Sequence, residues 1–71
     1  MIVTDAKSFG DAIKRRRKEL KITQAYLSEF SGVSTSFLSD LENGKPTIEL
    51  EKAIRIANIL GMDCGLTERL K

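Results

Sequence analysis

The sequence predicts a small all-α domain of four helices, followed by one short strand. Apolar residues recur at helical spacing in four segments, and most segments begin after a helix-capping residue and end at a glycine. The length of 71 residues suits one domain with a small core, which dimerisation would enlarge. The domain is expected to span residues 1–71, with helices at about 5–20, 24–31, 35–43 and 49–60 and the strand at about 64–70.

The first helix is predicted from Phe9, Ile13 and Leu20, which fall on one helical face. Thr4 is the expected N-cap, and Asp5 would then lie at the positive end of the helix dipole. Gly10 conflicts with this assignment, because glycine inside a helix costs up to about 1 kcal/mol relative to alanine.

The second and third helices are short and have clear boundaries. Thr23 is the predicted N-cap of the second helix, which buries Leu27 and ends at Gly32. Ser34 caps the third helix, and Gly44 supplies the left-handed residue that ends it.

Two short helices joined by a tight turn predict a helix-turn-helix motif, which presents its second helix to the major groove of DNA. An α-helix about 10–12 Å across fits that groove when its outer residues are small or polar. The third helix meets this requirement. Its predicted inward residues are Leu38 and Leu41, and its predicted outward residues are Thr35, Ser36, Ser39 and Asp40.

The fourth helix and the segment after it differ in period. The inward residues predicted for the fourth helix are Leu50, Ala53, Ile54, Ala57 and Leu60. After Gly61, the residues Cys64, Leu66 and Leu70 alternate with others at the period of a strand. A lone strand needs a partner, so we expect these three residues at a homodimer interface, where the strand pairs with its copy across a two-fold axis. The alternative is an unpaired C-terminal tail.

Composition limits the function. Residues 1–45 contain eight Lys or Arg against six Asp or Glu, whereas residues 46–71 contain four of each, an excess that suits an anionic partner without identifying one. With no histidine and one cysteine, histidine-dependent nucleophiles and the common zinc sites are excluded, and we expect no enzyme, metal or cofactor. Because no apolar run reaches the length of a membrane span and the start MIVTD lacks a secretion signal, we expect a cytosolic protein without a membrane partner.

Three motifs, Ile22–Gln24, Gly32–Ser34 and Leu41–Lys45, resemble the Cro/C1-type (XRE) helix-turn-helix regulators, which have a lambda-repressor-like fold. The resemblance covers about residues 8–61. It implies a homodimeric repressor that binds a pseudo-palindromic operator in double-stranded DNA. The residues that it implies for DNA binding are Gln24, Ser34, Thr35, Ser36, Ser39, Asn43 and Lys45.

By this resemblance, Gln24 contacts a phosphate and braces the third helix, Asn43 and Lys45 hold the sugar-phosphate backbone, and the hydroxyl residues of the third helix face base edges. This division agrees with the general rule that phosphate contacts fix register and base contacts specify sequence. Each role has a plainer alternative, since Gln, Ser and Thr are ordinary at helix starts and Lys45 suits a solvated loop.

The basic run at residues 14–18, KRRRK, is spread around the helix axis, so most of it is predicted to be a solvated face. Arg17 is the exception, because it lies one turn from Ile13, points inward and needs a carboxylate partner. Glu42 is the candidate. The resemblance supports a structural Arg17–Glu42 bridge between the first helix and the end of the third.

Four other residues have two interpretations each. Asp40 either accepts a hydrogen bond from a cytosine amino group or pairs with Lys45. Phe37 either touches a thymine methyl group or packs beside the loop after the third helix. Tyr26 and Phe30, one turn apart, either mark a protein contact or complete the core against the first helix.

The strand-like ending resembles the HipB-type antitoxins. That resemblance implies a dimer sealed by intermolecular strand pairing, repression of the protein's own operon, and a HipA-like kinase toxin as partner. One alternative is a free-standing or phage-type repressor without a toxin. Another is a helix-turn-helix scaffold that binds only protein, with Tyr26 and Phe30 as anchors.

Overall fold

A computed structural model describes residues 2–70, and within this range the chain forms four α-helices. They are α1 (Ala6–Glu19), α2 (Gln24–Ser31), α3 (Thr35–Glu42) and α4 (Leu50–Ile59). The predicted all-α class with four helices is confirmed. None of the described helices is long and apolar enough to cross a lipid bilayer.

The core forms around α3, which packs against both α1 and α2. Leu38 and Leu41 of α3 are buried, as predicted from their spacing. Burial of such apolar side chains is the main favourable contribution to folding. The other buried members of the core cluster are Ile13, Leu27, Val33, Ala53, Ile56, Ala57 and Leu60.

The start and the end of α1 differ from the prediction. Asp5 rather than Thr4 is the N-cap: its carboxylate accepts from the Ser8 N–H at 2.7 Å, and Ser8 Oγ accepts from the Asp5 N–H at 3.1 Å. This reciprocal capping box satisfies two N–H groups that the helix itself leaves unpaired. Leu20 is 42% exposed, because it is the C-cap and lies beyond the last buried turn.

Gly10 is explained by the crossing of α1 and α3. A Cβ atom at this position would lie 2.1 Å from the carbonyl oxygen of Leu41, far inside van der Waals contact. The helix therefore accepts the intrinsic cost of glycine because only glycine lets the two backbones approach so closely.

The inward face of α4 is partly different from the predicted one. Leu50 is 65% exposed, whereas Ile56, which was not assigned to the core, is fully buried. Leu50 is the first residue of α4 and precedes the first buried residue of that helix, Ala53. The buried side chains follow the helical spacing from Ala53 through Ile56 and Ala57 to Leu60.

The C-terminal strand predicted at residues 64–70 is not formed. In the described range, residues 2–70, there is no strand, and residues 63–70 are exposed and without regular structure. A strand requires a second strand to pair its backbone N–H and C=O groups, and the described part of the chain offers none. Accordingly, the predicted dimer residues Cys64, Leu66 and Leu70 are all exposed in the single chain.

Candidate nucleic-acid interface

Local hydrogen bonds define the two short helices of the motif. Thr23 caps α2 by accepting from the Tyr26 N–H at 3.0 Å, and Ser34 caps α3 by accepting from the Phe37 N–H at 3.0 Å. Gly32 ends α2 with a φ of 80°, in the left-handed region that glycine enters without steric cost. The predicted boundaries of the two helices are therefore set by the residues that directly flank them.

The turn between α2 and α3 is also held by residues outside it. Ser28 Oγ donates to the Val33 carbonyl oxygen, and the Val33 N–H donates to Ser31 Oγ at 3.4 Å. From α4, Arg55 Nη2 donates to the Ser31 carbonyl oxygen at 2.6 Å. Neither Ser28 nor Arg55 was expected from the sequence. For Arg55, no spacing rule connects the side chain to a carbonyl group 24 residues earlier.

The side chains on the outer surface of α3 are short and polar. Thr35 and Ser36 are exposed, and Ser39 is half-buried. Asn43, just after the helix, is exposed, and its Nδ2 lies 3.4 Å from Ser39 Oγ. Small hydroxyl side chains thus cover the surface opposite the buried leucines, and an amide group extends that surface past the helix end.

Lys45 and Asp40 form an exposed ion pair at the end of α3. Lys45 Nζ lies 3.4 Å from the Asp40 carboxylate, and both side chains are about half exposed. The pairing that the sequence offered as one role for Asp40 is therefore present. Exposed pairs of this kind contribute roughly 0–1 kcal/mol, so Lys45 can exchange its partner at little cost.

A buried ion pair joins α1 to the end of α3. Arg17 donates from Nε to Glu42 Oε2 at 2.6 Å and from Nη2 to Oε1 at 2.9 Å. Arg17 Nη1 also donates to the Ile22 carbonyl oxygen at 2.8 Å. The side chains of Arg17 and Glu42 are only 10% and 3% exposed, and this is the pair that the family resemblance implies.

Gln24 belongs to the same buried network. Its Nε2 donates to Glu42 Oε1 at 3.1 Å, so the first residue of α2 is tied to the last residue of α3. Burial acts to raise the pKa of the Glu42 carboxyl, but the hydrogen bonds from Arg17 and Gln24 and the charges of Arg17 and Lys14 together hold that pKa below its ordinary value. The hydrogen bonds to Glu42 have the opposite effect on the other partner and raise the pKa of the Arg17 guanidinium. Both groups therefore stay charged at neutral pH.

The aromatic side chains of the motif have two different environments. Tyr26 and Phe30 are 57% and 69% exposed and stack on each other with ring centroids 6.3 Å apart, so the suggestion that they complete the core is wrong. Phe37 packs against the core, and Lys52 Nζ lies 5.8 Å from its ring centroid. Its role in packing therefore has direct structural support.

This geometry agrees with the sequence family. The sequence model of the HTH_3 (Helix-turn-helix) family matches residues 13–66, which include the whole of α2, α3 and α4. The chain belongs to the HTH_3 family. HTH_3 domains of this XRE type are DNA-binding transcription regulators.

The curated relatives of this HTH_3 domain include regulators of a bacteriophage. The ImmF control region 10 kDa protein of Bacillus phage phi105 is 36% identical over 62 residues, which are 87% of this chain and 69% of that protein. The immunity repressor protein of the same phage is 38% identical over 53 residues, which are 75% of this chain and 37% of that protein. An HTH-type transcriptional regulator of Sinorhizobium fredii is 36% identical over 52 residues, which are 73% of this chain and 68% of that protein.

Solved structures of HipB have the same fold as this HTH_3 domain. The HipB chain in a HipB–O4 20mer complex superposes with a TM-score of 0.86 at 20% sequence identity, covering 96% of both chains. A HipA–HipB–O2–O3 complex gives the same TM-score, identity and coverage. At this identity the likeness concerns the fold alone.

Proposed function

We propose that the protein is a homodimeric repressor that sets α3 of each protomer into the major groove of double-stranded DNA. The observation that carries the proposal is the outer surface of α3, where Thr35, Ser36 and Ser39 are short and polar above a buried leucine face. A helix with such a surface can enter the groove and place its hydroxyl groups at base edges.

Phosphate contacts fix the position of α3 in this proposal. Gln24, Asn43 and Lys45 bind phosphate oxygens around the helix, and Ser34 adds a contact at its start. The present partners of Asn43 and Lys45 lie 3.4 Å away and are accessible, so exchanging them for phosphate costs little. Because short hydroxyl side chains make few bidentate base contacts, DNA shape supplies much of the specificity.

The homodimer places its two α3 helices in successive major grooves, about 34 Å apart, on one side of a pseudo-palindromic operator. Support comes from Leu66 and Leu70, which are almost fully exposed in the single chain and gain burial only against a partner. With Cys64 they form the proposed dimer interface. The bound dimer then excludes RNA polymerase from the promoter.

Selection of bound duplexes from a random DNA pool, at low and moderate salt, tests this proposal. We expect enrichment of an inverted repeat with half-sites one helical turn apart, and weaker binding at higher salt. Asn43→Ala should weaken binding to all sequences alike, whereas Asn58→Ala, an exposed residue of α4, is the matched control and should have no effect. Failure to enrich any sequence at either salt concentration would refute the proposal and favour a protein-binding scaffold, for which the exposed Tyr26 and Phe30 provide the surface.

The toxin-antitoxin role is a second candidate, supported by the end-to-end similarity of fold with HipB. Sequence identity is higher to the immunity repressor of a phage than to HipB, and this supports a repressor without a toxin. Co-expression with the product of any kinase-like gene beside this one separates the two roles. Rescue of growth together with formation of a stable complex would establish an antitoxin, and no effect on growth would leave the repressor alone.

A further inference from the structure

We infer that Lys14 of α1 is an additional contact to the DNA backbone, with its ammonium group on a phosphodiester oxygen beside the one that Gln24 binds. The inference rests on the proposed function and extends its site to a helix outside the helix-turn-helix motif. From the sequence, Lys14 belonged to a basic run assigned mainly to a solvated face.

The position of Lys14 follows from its neighbours on α1. Gly10 is four residues before it and Arg17 is three residues after it, and residues at these spacings share a helix face. Both neighbours touch the end of α3: Gly10 lies against the carbonyl groups of Leu41 and Glu42, and Arg17 holds the Glu42 carboxylate. Lys14 is exposed between these two contacts, so it lies beside the C-terminal end of α3.

The charge of Lys14 is not compensated there. The Glu42 carboxylate already accepts two hydrogen bonds from Arg17 and one from Gln24. Lys14 acts on Glu42 only through its charge, which contributes to the lowered pKa of that carboxyl. Within the described part of the chain Lys14 has no ion pair, so two cations face one carboxylate and one positive charge remains.

A phosphate suits this surplus charge. The amide of Gln24 uses one N–H for Glu42, and its second N–H is available to another acceptor. The exposed amide of Asn43 lies at the same end of α3. The C-terminal end of a helix carries partial negative charge that opposes an approaching phosphate, and the ammonium group of Lys14 offsets it. Two amide donors beside a cation form a typical arrangement for backbone binding.

The test measures the salt dependence of binding. The full chain is titrated against its selected operator duplex by fluorescence anisotropy at several salt concentrations between about 50 and 200 mM. Because each protomer of the bound dimer contributes one Lys14, Lys14→Ala should reduce the slope of log affinity against log salt by about 1.8, twice the value for one phosphate contact. The ratio of wild-type to variant affinity should therefore fall about 12-fold across this range, while the preferred DNA sequence stays the same.

Two variants serve as controls. Lys14→Arg keeps the charge and should keep the wild-type slope. Lys52→Ala removes an equal charge from α4, where Lys52 lies 3.7 Å from Glu49, and should also leave the slope unchanged. Thermal unfolding of each variant verifies that it is folded.

The outcomes are distinct. An unchanged slope for a folded Lys14→Ala protein would overturn the inference while leaving the proposed function intact. An equal reduction for Lys52→Ala would overturn it as well, because the effect would then reflect net charge rather than position. Absence of duplex binding by the wild-type protein would instead refute the proposed function itself.

Discussion

Removal of Glu42 should strongly destabilise this domain. In Glu42→Ala the Arg17 guanidinium loses two hydrogen bonds and its counter-charge, although its side chain is only 10% exposed. Its remaining described hydrogen bond is the one to the Ile22 carbonyl oxygen. Breaking a buried ion pair by removing one partner costs about 3–5 kcal/mol, because the remaining charge stays desolvated.

This cost is large relative to the stability of a 71-residue domain. At roughly 0.05–0.15 kcal/mol per residue, the expected free energy of unfolding is about 4–11 kcal/mol. Each kcal/mol lowers the melting temperature of a domain this size by about 4–8 °C, so Glu42→Ala should melt about 12–40 °C below the wild type.

A double variant separates loss of the pair from exposure of one charge. Arg17→Met combined with Glu42→Leu removes both charges and fills the space with apolar side chains. Such replacements are often neutral or stabilising, so the double variant should be more stable than either single variant. Urea denaturation, monitored by far-UV circular dichroism at neutral pH, gives the free energies of unfolding of the wild type, Arg17→Met, Glu42→Leu and the double variant.

A loss of less than about 1 kcal/mol of unfolding free energy in Glu42→Ala, well below the roughly 3–5 kcal/mol expected for a broken buried pair, would show that the pair does not stabilise the domain in this way. Simple addition of the effects of Arg17→Met and Glu42→Leu in the double variant would show the same, because residues in direct contact should be coupled.

Three further predictions concern packing, pH and the exposed aromatic pair. Gly10→Ala should lower the free energy of unfolding, measured by urea denaturation, by about 1–3 kcal/mol or more, because its Cβ would lie 2.1 Å from a carbonyl oxygen of α3. Gly65→Ala is the control: its Cβ would lie in open space, so the free energy of unfolding should change little. Since folding lowers the pKa of Glu42, its contribution to stability is complete above its unfolded pKa of about 4.3 and is lost as pH falls through the folded value; the urea midpoint should therefore fall in acid, and a flat profile would contradict this. Tyr26→Ser and Phe30→Ser should each stay within about 1 kcal/mol of wild type because both side chains are exposed, and a loss above about 2 kcal/mol would mean that they support the core.

Local sequence was sufficient to predict the helix-turn-helix itself. Thr23 and Ser34 cap their helices through bonds to N–H groups three residues away, and Gly32 takes the left-handed conformation where it was expected. The buried leucines and the outward hydroxyl groups of α3 follow directly from helical spacing. These features depend on residues within one or two turns, so they are already specified before the helices meet. The weakness of local rules appears at α1, where Thr4 and Asp5 are both good capping residues and Ser8 favours Asp5.

Tertiary structure alone decided which helix surfaces meet. The close approach at Gly10, the burial of Ile56 and the exposure of Leu50 depend on how α1 and α4 lie in the assembled core. The bond from Arg55 to the turn joins residues 24 positions apart, and no local pattern encodes it.

The C-terminal segment shows the same limit most clearly. Alternation of Cys64, Leu66 and Leu70 predicts a strand, yet the segment is irregular in the single chain. A helix satisfies its backbone hydrogen bonds internally, so its sequence largely determines its formation. A strand obtains those bonds from another strand, and its formation is therefore decided by the partner that the assembled structure provides.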